Sequence, residues 1–327
     1  MKNNILILSS FLLFSCSDFY QPAVVSARKE ATQIGLEIMK NGGNAYDAMI
    51  ATHLALAVVH PTAGNIGGGG FFVYHHKDGS SGSLDFREMA PEKAFKDMYL
   101  DENGDVIPDM STLGGAAVGV PGSISAIYKI HSKFGSLPIE DLFEPAINLA
   151  KNGFVVTQKQ SNSLTGKLED FIKVNGEESL YSKRYYEGDT IKNIKFAETL
   201  SKISKFGPEI FYGGEIGEMI INSVNKAGGI MTLKDLENYK SIWRDPVKFK
   251  YKNLDIISMS LPSSGGILIG QMLKVIEDYD IKSFGHNSVK TIQVLVEAER
   301  RAYADRSHFM GDPDFMNLPV YELIDKD

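Results

Sequence analysis

A single cysteine, Cys16, in a chain of 327 residues excludes an intrachain disulfide and a cysteine-built zinc cluster. The seven histidines are scattered without an HExxH pattern, and adjacent His75 and His76 would point to opposite faces of a strand, so no metal site is expected. Basic residues are in deficit, 34 Lys and Arg against 41 Asp and Glu, and the net charge of −7 argues against nucleic acid as a partner. The Gly- and Ala-rich passage 112–121 fits neither GxGxxG nor GxxxxGK[ST], so a nucleotide site is not supported and no cofactor is expected. No GxSxG marks a nucleophile elbow, and neither an internal repeat nor a low-complexity linker divides the chain. What is left is a globular composition, 43% hydrophobic and 23% charged, long enough to bury a large core.

The position of the lone cysteine carries information. Lys2 precedes an apolar run, residues 5–14, that suits a signal-peptide core and is too short to span a bilayer; no later segment is apolar enough to do so. Its end, Leu13-Phe14-Ser15-Cys16, resembles a bacterial lipoprotein box. The expectation is a lipoprotein-type signal over 1–15, a lipidated tether over 16–23 and one domain over 24–327. Lipidated Cys16 would anchor an exported, periplasmic protein to a membrane at about 0.8 kcal/mol per buried CH₂. A secretory signal cut near Ser15, with Cys16 incidental, is the alternative, and it also exports the chain.

The chemistry concentrates between His60 and Pro91. Pro61 and Gly64 halt a buried apolar run, and Gly67, Gly68, Gly69 and Gly70 let the backbone pass something closely. Two strands follow, 71–75 and 83–86, joined by a glycine-containing turn. Period-two alternation places Leu84 and Phe86 on one face and Asp85 and Arg87 on the other. Arg87 is thus delivered to a glycine-lined floor, where its planar fork suits a carboxylate held through two parallel hydrogen bonds. An ion pair with Asp85 or Glu88 is the plainer alternative.

Elsewhere the pattern predicts a helix capped by Ser26 and running to about residue 40, then a helix over 45–59 capped by Asn44 and apolar nearly all round, hence buried, with His53 as a hydrogen-bonded core histidine. Further helices are expected over 122–134 and 142–151, the latter opened by Pro145, with polar helices and loops over 158–190 on the outside. Helices over 194–206, 214–226 and 233–239 follow, the last with a capping box from Thr232 to Asp235. A hairpin over 247–251 and 254–259 and helices over 268–278 and 289–308 close the chain. Ser263 and Ser264, in a tight Pro-Ser-Ser-Gly-Gly turn, are the candidate internal nucleophiles, but no histidine can be assigned to activate them. The turn is read as structural, with its serine as a helix N-cap.

Taken together, NGGNAYDA, HPTAGNIGGGGFF, DFREMAP, Gly119-Val120-Pro121-Gly122, Gly207-Pro208-Glu209-Ile210-Phe211-Tyr212, Pro262-Ser263-Ser264-Gly265-Gly266 and AERRAYADRS resemble the large-subunit region of the γ-glutamyltransferases, also called glutathione hydrolases. The resemblance covers nearly everything after about Val24, in order. It implies an α/β (α+β) fold, the four-layer αββα sandwich of the N-terminal-nucleophile hydrolases, incomplete in this chain. It also implies a small-subunit partner bearing an N-terminal threonine whose own amine acts as base. That threonine attacks γ-glutamyl amides such as glutathione, a small-molecule substrate, and the glutamyl group passes to water or an amino acid. The sequence reaches Asp327 before such a threonine, so no catalytic residue is assigned and the chain alone is expected to be inactive. Of the family's substrate contacts only the DFREMAP arginine carries over, onto Arg87, where it holds the donor α-carboxylate. A non-catalytic binding remnant and half of a related acylase are the competing readings.

Overall fold

The computed structural model describes residues 21–325, so Cys16, the expected signal segment and the first part of the tether lie outside the described residues. The helices are α1 (Lys29–Lys40), α2 (Ala45–Val59), α3 (Ser123–Phe134), α4 (Ile139–Asn152), α5 (Gln158–Gly166), α6 (Leu168–Asn175) and α7 (Ile194–Phe206). They continue with α8 (Glu209–Tyr212), α9 (Glu215–Lys226), α10 (Leu233–Asn238), α11 (Gly265–Ile276), α12 (Ile281–Phe284) and α13 (Val289–Phe309). The strands are β1 (Phe71–His75), β2 (Ser81–Asp85), β3 (Phe154–Val155), β4 (Thr190–Ile191), β5 (Ile242–Arg244), β6 (Val247–Tyr251) and β7 (Leu254–Ser258).

Helix α2 is the spine of the main core. Asn44 Oδ1 accepts from the Tyr46 and Asp47 amides at 2.8 and 3.0 Å, and Asp47 Oδ2 accepts from the Asn44 amide at 2.9 Å, a reciprocal cap that satisfies the first turn. Asp47 is fully buried and its carboxylate also receives the Ser136 amide, which ties the α3–α4 turn to the start of α2. Behind the cap, Ile50, Leu54, Ala55 and Val59 are wholly buried, and α1, α3 and α4 pack around them. The all-round apolarity of this helix is therefore explained by burial on every side. His53 differs from expectation: its Nε2 is sealed from solvent without a hydrogen-bond partner among the described residues, and burial pushes its pKa down.

Other differences are local. Ser26 does not cap α1; Arg28 occupies that position in extended backbone, and Ser26 Oγ donates to Arg28 O at 2.8 Å instead. Helix α4 opens after Pro138 and runs through Pro145, which therefore lies inside the helix and removes one backbone bond there. Burial of Leu142, Phe143, Ala146 and Ala150 against the core holds the helix together across it. The Thr232 to Asp235 capping box forms as expected.

Strand β2 starts at Ser81, earlier than the alternation indicated, and lies centrally in an antiparallel sheet of order β1-β2-β5. Phe71 faces Asp85 across β1 and β2, while Ser83 faces Arg244 across β2 and β5. The short β5, β3 and β4 were not foreseen, because two or three residues carry no readable alternation. Strands β6 and β7 form the expected hairpin. Leu84 and Phe86 join the main apolar core, and a second, smaller cluster gathers Val247, Leu261, Ile267 and Ile324. A cleft opens where these two clusters meet, lined by Tyr239 of the first and Leu261 of the second.

Candidate functional site

Arg87 lies two residues past the end of β2, and the backbone around it is clamped on both sides. Gly70 and Phe86 extend the β1–β2 ladder with bonds of 3.2 and 3.0 Å, and Met89 and Val120 exchange bonds of 3.2 and 2.8 Å on the next strand-like stretch. A Cβ added to Gly69 would lie 2.3 Å from Phe86 O, and one on Gly122 would lie 2.1 Å from the same oxygen. Gly68 O receives the Gly122 and Ser123 amides at 2.8 and 3.0 Å. The close approach that the glycine run permits is thus of backbone to backbone. Gly68 and Gly69 underlie the strand that carries Arg87, and of the four only Gly70 lines the cleft.

Two buried tyrosines complete the support. Tyr239 Oη donates to Arg87 O at 2.9 Å, and its ring stacks on Tyr212 at 5.8 Å with planes 5° apart. Tyr212 Oη in turn donates to Pro121 O at 2.9 Å and accepts the Ser125 amide at 3.0 Å. Burial raises both phenol pKa values, so both hydroxyls stay protonated as donors. The Arg87 carbonyl is thus held by a hydroxyl 152 positions away, and the neighbouring Phe86 and Pro121 carbonyls are packed or bonded by Gly69, Gly122 and Tyr212.

The side chains sort as the alternation predicts: Leu84 and Phe86 are buried on one face, and Arg87 is exposed on the other. Asp85, however, does not pair with the Arg87 guanidinium. Its Oδ1 accepts the Arg87 amide at 3.1 Å, and its Oδ2 accepts Arg244 Nε at 2.8 Å. Arg244 turns its two remaining nitrogens onto Asp314 at 2.9 and 2.8 Å. The hydrogen bonds that Arg244 donates to Asp314, with the one it donates to Asp85, outweigh burial and raise its pKa, so this cation is permanent and fully compensated. Sequence reading missed Arg244, since nothing local links it to Asp85 across 159 positions. The plainer reading of Arg87 as an ion-pair residue is not what forms. Its Nη1 donates to Pro262 O at 3.3 Å, and among the described residues it has no acidic partner.

The cleft holding Arg87 has a volume of about 660 Å³ and is lined also by Tyr239, Arg244, Ser263, Ser264 and Arg306. No histidine lines it, and neither serine hydroxyl is hydrogen-bonded to a carboxylate among the described residues. Ser264 stands at the N-cap position of α11 but makes no capping bond; its Oγ accepts Arg306 Nε at 3.0 Å. The lining of the cleft carries four basic side chains, Arg87, Lys240, Arg244 and Arg306, and four carboxylates, Asp85, Glu88, Asp312 and Asp314, and of the arginines Arg87 and Arg306 make no ion pair among the described residues. It contains no paired nucleophile and base among the described residues.

A family model described as Gamma-glutamyltranspeptidase matches residues 31–327. A glutathione hydrolase proenzyme of Escherichia coli K12 is 40% identical over 318 residues, covering 94% of this chain and 53% of the relative. The chain thus spans about half the length of the curated relatives it matches. An acylase ACY 1 proenzyme of Pseudomonas is 36% identical over 93% of this chain and 56% of its own. The solved gamma-glutamyltranspeptidase of Helicobacter pylori superposes with a TM-score of 0.91 at 43% identity, covering 93% of this chain and 88% of that one. The fold is that of the N-terminal-nucleophile hydrolases.

Proposed function

The chain belongs to the gamma-glutamyltranspeptidase family, and on that premise we propose that it is the donor-binding, large-subunit part of an enzyme that cleaves γ-glutamyl amides. The observation that carries this is the Arg87 guanidinium, exposed to a cleft, held by a neutral carbonyl and free of any acid among the described residues. Such a fork binds the α-carboxylate of a γ-glutamyl donor through two parallel hydrogen bonds. The partner is a small subunit whose N-terminal threonine attacks the γ-amide, with its own α-amine taking the hydroxyl proton. Glutathione is the expected donor, and water or an amino acid the acceptor.

Supplied with the small subunit of a relative, the chain should release glutamate from a γ-glutamyl anilide, and Arg87→Lys should lower kcat/KM at least about tenfold, since a point charge replaces a bidentate contact. Unchanged kinetics in that variant overturn the reading. The 327-residue chain by itself should release none, with or without Ser263→Ala and Ser264→Ala.

The similarity to an acylase proenzyme favours a second reading, in which the amide cleaved is not γ-glutamyl. Comparable turnover of an acyl amide that lacks the α-carboxylate would select it. We further propose export with lipidation at Cys16. A fatty-acid probe fed to a bacterial host should label the protein, and Cys16→Ala should release it from the membrane fraction.

A further inference from the structure

The cleft contains a second uncompensated arginine. Arg306 is exposed on the last turns of α13 and is fixed through a neutral acceptor, its Nε donating to Ser264 Oγ at 3.0 Å. Among the described residues it makes no ion pair, whereas Arg244 in the same cleft is bound by two carboxylates and Arg300 on the same helix by Glu297. Glu88 and Asp312 also line the cleft but form no ion pair with Arg306, and Asp312 accepts the Asp314 amide at 2.9 Å. Both Nη groups of Arg306 are left to face a ligand.

Arg87 and Arg306 flank one turn. The first holds Pro262 O and the second Ser264 Oγ, two residues apart, a Cα span of at most about 7 Å. Each guanidinium stands off that turn by a hydrogen bond. A γ-glutamyl dipeptide carries its two carboxylates about 10 Å apart when extended, so one molecule can meet both cations. Lys240 also lines the cleft, although Asp85, Glu88, Asp312 and Asp314 balance its cations in number, so selection rests on the two arginines that make no ion pair among the described residues.

Resting on the reading of Arg87 as the α-carboxylate clamp, we propose that Arg306 is a second carboxylate subsite, which selects γ-glutamyl peptides with a free C-terminal carboxylate over donors whose leaving group is uncharged. Arg306 is then a specificity-determining residue.

The test measures binding of γ-glutamylalanine and of its C-terminal amide to the full chain by calorimetry or ligand-observed NMR. The acid should bind about tenfold more tightly than the amide. Arg306→Gln should collapse that ratio to about one while leaving the amide's affinity unchanged, and Arg306→Lys should keep part of it, because the charge remains. Arg87→Lys should weaken both compounds together. Equal affinity for acid and amide in the unmodified chain, or a ratio that survives Arg306→Gln, overturns the subsite while leaving the Arg87 reading intact. Loss of affinity for both compounds in Arg306→Gln also overturns it, as a structural role for the residue. Failure of Arg87→Lys to weaken either compound, or no binding of either, overturns the clamp and the subsite together.

Discussion

Gly69 shows how narrowly the site is built at the scale of one residue. The nearest atoms to an added Cβ are Phe86 O at 2.3 Å and the Glu88 amide at 2.9 Å, both backbone, so no side-chain rotation relieves the contact. Gly69→Ala should destabilise the fold by about 3 kcal/mol and displace Arg87, read as a lower urea midpoint together with weaker donor binding. His53 makes a different claim. Burial lowers its folded pKa below the unfolded value near 6.5, so between those two values the unfolded chain binds more protons. Stability is therefore intact above about pH 6.5 and falls as the pH drops toward the folded pKa. Urea midpoints should fall on going from about pH 7.5 to about pH 5.5, and His53→Leu should reduce that difference. An identical fall in the variant would mean that other groups drive it.

At the scale of elements, helix ends do more than stop helices. The Asn44 side chain caps α2 and also donates through Nδ2 to Phe134 O at 2.7 Å, so one residue joins the start of the most buried helix to the end of α3. Asn44→Ala should cost about 2 kcal/mol, the upper end for a cap, because a second buried bond is lost with it. Equilibrium urea denaturation measures this, and a loss no greater than that of an exposed Ala substitution would contradict it. The support of Arg87 is likewise a matter of elements. It needs the end of β2, the start of α3, Tyr212 at the end of α8 and Tyr239 just past α10.

At the scale of the molecule, the two apolar clusters are unequal, and α13 is sparingly covered. Of its residues Thr291, Ala298 and Ala302 are buried, while Val289, Ile292, Leu295, Val296 and Tyr303 are exposed, and Ile269 and Val275 of α11 are exposed too. A face of that kind calls for cover in an assembly. The expected outcome is that the chain by itself binds an apolar reporter dye or self-associates, and that a small subunit from a relative suppresses both. A dye-silent monomer would speak against the paired assembly.

Some of this was decided by the chain itself. Caps such as Asn44 and Thr232, the apolar content of α2 and the period-two alternation around Leu84 are short-range properties, so they could be read as a string, and with them the face on which Arg87 stands. The ordered motifs likewise pointed to the family. What the string could not decide were contacts between distant positions: Arg244 taking Asp85 away from Arg87, Tyr239 holding the Arg87 carbonyl, and Arg306 meeting Ser264 where a cap was expected. Each joins residues 42 to 159 positions apart. Local propensity has no term for such pairings; only the packed backbone brings those donors within reach of their acceptors and determines which arginines keep their charge for a ligand.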